Sequence, residues 1–214
     1  MKADHSSALS TEQKEIFQEV MNIAFGKASA DLADIIDIYV ALSVPNILIM
    51  PASKVKNYIE NEVKDYGIID IVKQQYWGEF KGIAFLIFSS GAGKKLISLF
   101  QKNENLSFDS EPIDAMEKET LVEVGNILIG ACVGKLAELL GDILTYSPPV
   151  AMIEQKPADS ISKNTFDLNC TAIILKTVFR FENEDVCGNL FLTTSNKSIH
   201  WLKKALNKIL DEYE

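Results

Sequence analysis

The sequence predicts an α+β protein built from two pseudo-symmetric halves. Each half is a long helix, three mainly antiparallel strands and a closing helix, and the two join into one sheet-and-helix domain over residues 1–214. Three observations lead there. Glu19-Val20-Met21-Asn22-Ile23 recurs 104 positions later as Glu123-Val124-Gly125-Asn126-Ile127, and Gly26, Leu32, Ser43 and Pro45 recur in the same register as Gly130, Leu136, Ser147 and Pro149. Apolar residues follow helical spacing in both copies. Downstream of each copy come short apolar runs broken by turn residues, which read as strands. Gly82-Ile83-Ala84-Phe85-Leu86 resembles Gly188-Asn189-Leu190-Phe191-Leu192 at an offset of 106, so the second half carries a small net insertion. Several matches in near-constant register argue for duplication, with repeats at 10–102 and 112–214 and the polar stretch 103–111 as their linker.

The elements follow in order. Ser10-Thr11-Glu12-Gln13 and Asp114-Ala115-Met116-Glu117 have the form of capping boxes that open the long helices. Ile16, Val20, Ile23 and Ala24 in the first helix, and Leu121, Val124, Ile127, Leu128 and Leu136 in the second, predict the buried faces. Ser43-Val44-Pro45 and Ser147-Pro148-Pro149 end these helices, because proline cannot continue one. Short strands are predicted at 47–50 and 150–153. A hairpin follows in each half, over 68–77 with 82–88, and over 166–181 with 188–194, the second turning at 182–185. Closing helices fall at 91–102 and 196–212, and an extra short helix at 53–65.

Composition narrows the chemistry. The chain is 47% hydrophobic, enough for a real core, and its net charge of −9 disfavours nucleic acid and anionic lipid as partners. Cys132, Cys170 and Cys187 form no CxxC pair, and His5 and His200 lie far apart, which leaves little material for a metal cluster or a His-based triad. The polar N-terminus lacks an apolar leader core and no apolar run reaches spanning length, so the expectation is a cytoplasmic protein without membrane insertion.

The repeated Glu-x-x-Asn carries the functional reading. Positions i, i+3 and i+7 share one helix face, so Glu19, Asn22 and Gly26 align, as do Glu123, Asn126 and Gly130. The stripes run on through Ser29, Ala30 and Ala33, and through Val133, Gly134 and Ala137, with Ile23 and Ile127 directed into the core. A single such pattern is ordinary solvated helix surface. Asn is a poor mid-helix residue, though, and Gly125 costs about 1 kcal/mol relative to alanine; the repetition of Asn at both positions therefore points to use.

From each Asn to the proline beyond it lie 22 residues, Asn22 to Pro45 and Asn126 to Pro149. Glu-x-x-Asn followed by 22 residues and Pro resembles the signature of the CheC/CheX/FliY family of chemotaxis phosphatases. The resemblance covers nearly the whole chain, and the double motif is most similar to CheC. It implies a phosphatase that dephosphorylates a phospho-aspartyl, CheY-like response regulator. Asn22 and Asn126 would enter the regulator's active site and orient the attacking water, while Glu19 and Glu123 would contact its phosphate-binding lysine. The partner-binding face would take in Glu15, Gly26, Glu119 and Gly130. Glu15 and Glu119 stand where the family often has Asp or Ser, which keeps acidity but lengthens the side chain. The chain itself would bind no cofactor and no metal, since the regulator supplies Mg²⁺; a CheD-type deamidase is a further partner the resemblance suggests. Such a division suits a carboxamide, which can accept from water and donate nearby without adding charge beside a dianion. Two other readings stand beside it, a non-catalytic module that docks a receiver domain and a flagellar-switch-type interaction protein.

Lesser signals read as structure. Ser89-Ser90-Gly91-Ala92-Gly93-Lys94-Lys95 lacks the phosphate-loop spacing and predicts a tight turn into a helix. Trp77 and Trp201 read as packing residues, and the cysteines as small core or surface residues.

Overall fold

The computed structural model describes residues 9–36, 39–103, 113–162, 165–166, 170–181 and 186–213. The first long helix, α1, spans Thr11–Ile36 and leads to β1 (Val40–Leu42) and β2 (Asn46–Pro51). Helix α2 (Ala52–Glu62) and a 3₁₀ turn (Lys64–Tyr66) precede the hairpin of β3 (Ile69–Trp77) and β4 (Gly82–Ser89), and α3 (Ala92–Asn103) closes the half. In the second half α4 is Ile113–Leu140, β5 Thr145–Tyr146, β6 Val150–Gln155, α5 Pro157–Ser160, β7 Thr171–Phe181, β8 Cys187–Ser195 and α6 Asn196–Tyr213. The expected linker and the expected turn at 182–185 lie outside the described residues.

Eight strands form one sheet, ordered β1-β7-β8-β4-β3-β5, with β2 also on β7 and β6 also on β3, every pairing antiparallel. Exchanging the halves turns this order into itself. The β4–β8 pair is centred on Phe85 opposite Phe191, two residues at equivalent positions, so the halves meet as an isologous interface does. They also interleave: β1 and β2 pair with β7 of the second half, β5 and β6 with β3 of the first, while α3 packs on α4 and α6 on α1.

Alternation along the strands buries both faces of the sheet. Ala84, Leu86 and Phe88 join the core under α1, α3, α4 and α6, whereas Phe85 and Ile87 join a second core on the far side with Val55 and Ile59 of α2. That is why β4 reads as one apolar run. Helix α4 is long and apolar enough to cross a membrane by length and composition, and half of its most apolar window is buried inside the fold. On the outer face the halves differ. Helix α2 covers β2 and β7, and its Glu62 pairs with Lys176. Among the described residues the helix that follows β6 is the four-residue α5, and a groove of about 540 Å³ has Lys73, Val150 and Met152 in its lining.

Several expectations are corrected. Among the described residues each half has four strands rather than three, because a short strand, β1 or β5, also forms before the Ser-x-Pro segment. The long helices end at Ile36 and Leu140, before the Ser-x-Pro segments, and Gly141 terminates α4 with φ +75. Strand β7 begins at Thr171, not at 166. The first capping box forms as read: Gln13 N–H donates to Ser10 Oγ at 3.1 Å and Ser10 N–H to Gln13 Oε1 at 3.0 Å. Asp114 instead lies inside α4, and Glu117 is buried against α3, where its carboxylate sits 3.9 Å from Lys94 Nζ. Trp77 is 45% exposed, while Trp201 packs against the core.

Candidate functional site

Serines 43 and 147 explain the repeated Ser-x-Pro. Ser43 N–H donates to Val178 O and its Oγ accepts from Val178 N–H, both at 2.8 Å; Ser147 N–H donates to Gln75 O at 3.0 Å and its Oγ accepts from Gln75 N–H at 3.1 Å. Each serine thus completes a ladder contact with its side chain just before the chain turns away at proline, which has no N–H to offer. The turn brings the segment against the helix that carries the asparagine.

Glutamines make that junction. Gln18 Nε2 donates to Pro45 O at 2.7 Å and to Asn22 Oδ1 at 3.4 Å. Gln74 Nε2, from β3, donates to Ser147 O at 2.9 Å and to Asn126 Oδ1 at 3.3 Å. Gln74 is buried and its Oε1 has no hydrogen-bond partner, which costs about 1–3 kcal/mol.

Around these contacts the sequence-derived residues fall as follows. Glu15, Glu19, Glu119 and Glu123 are exposed, as are Gly26 and Asn126; Asn22 and Gly130 are half-buried. None of the four glutamates is in an ion pair among the described residues, so their charges are solvated and open to an incoming cation. A Cβ at Gly26 or Gly130 would meet nothing within 4 Å, so both glycines leave the face flat rather than admitting a neighbour from within the fold. Ile23 is not in the core: it is 39% exposed beside Asn22, and Val44, next to Pro45, is 70% exposed. Their counterparts are half-buried Ile127 and exposed Pro148. Each Asn therefore stands in a polar site with apolar residues close at hand. Farther along, the expected small-residue stripe divides: Ser29 is buried and donates to Val40 O, and Val133 and Ala137 are buried, whereas Ala30 is exposed and Ala33 and Gly134 are half-buried.

Gly125 has a packing reason. It is buried, and a Cβ there would stand 2.5 Å from Val72 Cγ1. Its glycine lets β3 approach α4, bringing Gln74 within reach of Asn126.

Sequence reading missed Gln18, Gln74 and the apolar pair Ile23 and Val44. The two glutamines escape a repeat comparison because their counterparts are Val122 and Thr177. The available signal was Gln74 itself, an amide alternating with Val72 and Tyr76 on the buried face of β3. Away from the site, Asp70 is buried and accepts from Gly91 N–H at 3.1 Å and Glu154 N–H at 3.0 Å; burial raises its pKa. Burial also raises that of Glu117, with nearby Asp70 adding to the effect. No group of three or more His, Cys, Asp or Glu side chains able to hold a metal occurs among the described residues.

No protein-family model matches the chain. Solved structures do share its fold. The crystal structure of Thermotoga maritima FliY aligns with a TM-score of 0.67 at 20% identity, covering 94% of this chain and 98% of that one. The FliG–FliM complex from H. pylori aligns at TM-score 0.55 and 13% identity, over 92% and 100%. A chemotaxis protein CheX from Desulfovibrio desulfuricans aligns at TM-score 0.51 and 13% identity, over 81% and 99%.

Proposed function

We propose that this chain is a phosphatase acting on a phospho-aspartyl, CheY-like response regulator, with Asn22 and Asn126 each orienting the water that attacks phosphorus. The observation that carries the reading is the doubled site: two Glu-x-x-Asn pairs, each carboxamide held from behind by a glutamine that is itself anchored on a Ser-x-Pro carbonyl, each glutamate solvated. The likeness to FliY and CheX, the latter named as a chemotaxis protein, supports it at the level of fold.

In this mechanism the receiver supplies Mg²⁺ and a lysine to the phosphoryl oxygens. Glu19 or Glu123 docks on that lysine through a charge-assisted contact. The carboxamide enters beside the phosphoryl group, accepts a hydrogen bond from water through Oδ1, and holds it in line with the bond to be broken. Catalysis is then positioning, worth several orders of magnitude when a reactant is held in near-attack geometry. Ile23 and Val44 at the first site, and Ile127 and Pro148 at the second, would exclude bulk water around the docked partner. The place of action would be the cytoplasm, where phosphorylated receivers are found.

The decisive experiment mixes the protein with a phosphorylated receiver domain and Mg²⁺ and follows phosphate release. Asn22→Ala and Asn126→Ala should each remove the contribution of one site, and the double variant should abolish the acceleration. Undiminished turnover in a folded double variant sinks the reading. The likeness to FliM, solved in complex with FliG, favours a second one, a docking module of the flagellar-switch type. Binding of the receiver without faster dephosphorylation by the intact protein would select it.

A further inference from the structure

The two halves reach one arrangement with different residues. Behind Asn22 the donor is Gln18, four residues back on the same helix; behind Asn126 it is Gln74, on a strand. Neither glutamine belongs to the repeat. Val122 stands at the position of Gln18 in the second half, and Thr177 at that of Gln74 in the first, where its hydroxyl lies 3.1 Å from that of Ser43. The equivalence of 74 and 177 follows from register: each is two residues before the partner of the matching glycine of the next strand, Tyr76 opposite Gly82 and Phe179 opposite Gly188. From unrelated positions, both glutamines place Nε2 on the asparagine Oδ1 and on a main-chain carbonyl of the Ser-x-Pro segment.

Hydrogen-bonding capacity makes this contact directional. A carboxamide nitrogen carries two N–H bonds and accepts none. The carbonyls of Pro45 and Ser147, at 2.7 and 2.9 Å, each require that nitrogen, which decides which way round each glutamine sits. Gln74 keeps this orientation although it leaves its own Oε1 without a partner. The second N–H then faces the asparagine, which can meet it only with Oδ1. Turned over, the asparagine would press its NH₂ against a donor. Among the described residues, one Oδ1 lone pair and the whole NH₂ group stay free for a partner.

We infer that Gln18 and Gln74 are positioning residues that fix the orientation of the Asn22 and Asn126 carboxamides, so that each meets a partner the same way round. The consequence for turnover rests on the phosphatase reading; the orientation itself does not. Held this way, Oδ1 is the atom that receives the water, and a freely flipping amide would present it only part of the time and over a wider arc.

The test moves the first half's solution into the second. In an Asn22→Ala background, which leaves the second site alone, Gln74→Thr installs the residue native to the equivalent position, and adding Val122→Gln rebuilds the donor on the helix. Two readouts are taken: kcat and KM for a phosphorylated receiver with Mg²⁺, and the side-chain amide resonances of Asn126 by ¹⁵N NMR of the free protein. Gln74→Thr should lower kcat on the order of tenfold with KM little changed, and shift the Asn126 resonances. Val122→Gln should restore both. A merely structural glutamine would not be replaced from a different element. Unshifted Asn126 resonances in Gln74→Thr overturn the inference, as does failed rescue in a double variant with unchanged circular dichroism. If Asn126→Ala has no effect on turnover in the same background, the phosphatase reading falls, and the resonances alone decide the orientation.

Discussion

Alanine at Gly125 should weaken the fold, while alanine at Gly26 or Gly130 should strengthen it, although all three glycines lie within long helices. Helix propensity favours every one of these changes by about 1 kcal/mol. Space separates them. A Cβ at 125 would stand 2.5 Å from Val72 Cγ1, 3.1 Å from its Cβ and 3.3 Å from its Cγ2. Carbon atoms pack best at about 3.5–4.0 Å, so the overlap is about 1 Å. Val72 is fully buried and branched at Cβ, so it has no free rotamer into which to withdraw. Overpacking of this kind costs about 1–3 kcal/mol, leaving a net loss of about 0–2 kcal/mol after the propensity gain. Gly26 and Gly130 meet nothing within 4 Å and keep the full gain, a rise in Tm of about 2–4 °C each for a chain of this size. Thermal and urea unfolding followed by circular dichroism would measure all three, together with Val72→Ala and the Gly125→Ala/Val72→Ala pair. The double variant should lose less than the sum of the singles, a coupling expected of residues in contact. Two results would refute the reasoning: Gly125→Ala as stabilising as Gly26→Ala, or additive loss in the double variant.

Other outcomes follow from the same structure. Ser10→Ala should cost about 1 kcal/mol by opening the reciprocal cap of α1, measured by urea unfolding. The raised pKa of Glu117 means that its favourable contribution is complete below its ordinary carboxylate value and is lost as pH rises through the folded value, so Glu117→Gln should gain on the parent as pH climbs above about 4.5, seen in Tm across a pH series. Gln is tolerable there because its counterpart is Gln13, also buried, which donates to Asn207 at 2.8 Å. Burial pushes the Cys132 thiol up to about 12, so a thiolate-selective alkylating agent at pH 8 should spare it in the folded protein and label it after denaturation, read by peptide mass. Rapid labelling of folded protein at Cys132 would contradict its burial.

Much of the fold was legible because the repeat and the periodicity are properties of the chain itself. The hairpin at 69–77 with 82–89 and the closing helices fell within a residue or two of their predicted places, since apolar runs and turn residues specify such elements locally. Errors clustered where partners from far along the chain intervene. The capping-box pattern formed at Ser10 and Gln13, but at Asp114 and Glu117 the neighbouring α3 took the glutamate inward. Ile23 read as core by spacing alone, yet the helix it sits on turns that residue out beside Asn22.

The sequence by itself determined the α+β class, the long helices and the alignment of Glu19 with Asn22 and of Glu123 with Asn126. Each of these depends on spacing within one element, and backbone geometry converts spacing into a face. Tertiary structure alone decided how the halves interleave, why Gly125 is glycine, and which residue stands behind each asparagine. Gln74 and Asn126 are 52 residues apart, and Gln18 and Pro45 27 apart. Such contacts exist only once a shared sheet carries the Ser-x-Pro turns up against the helices, and the halves can satisfy one geometry with different residues because hydrogen bonding constrains where a donor stands, not which element delivers it.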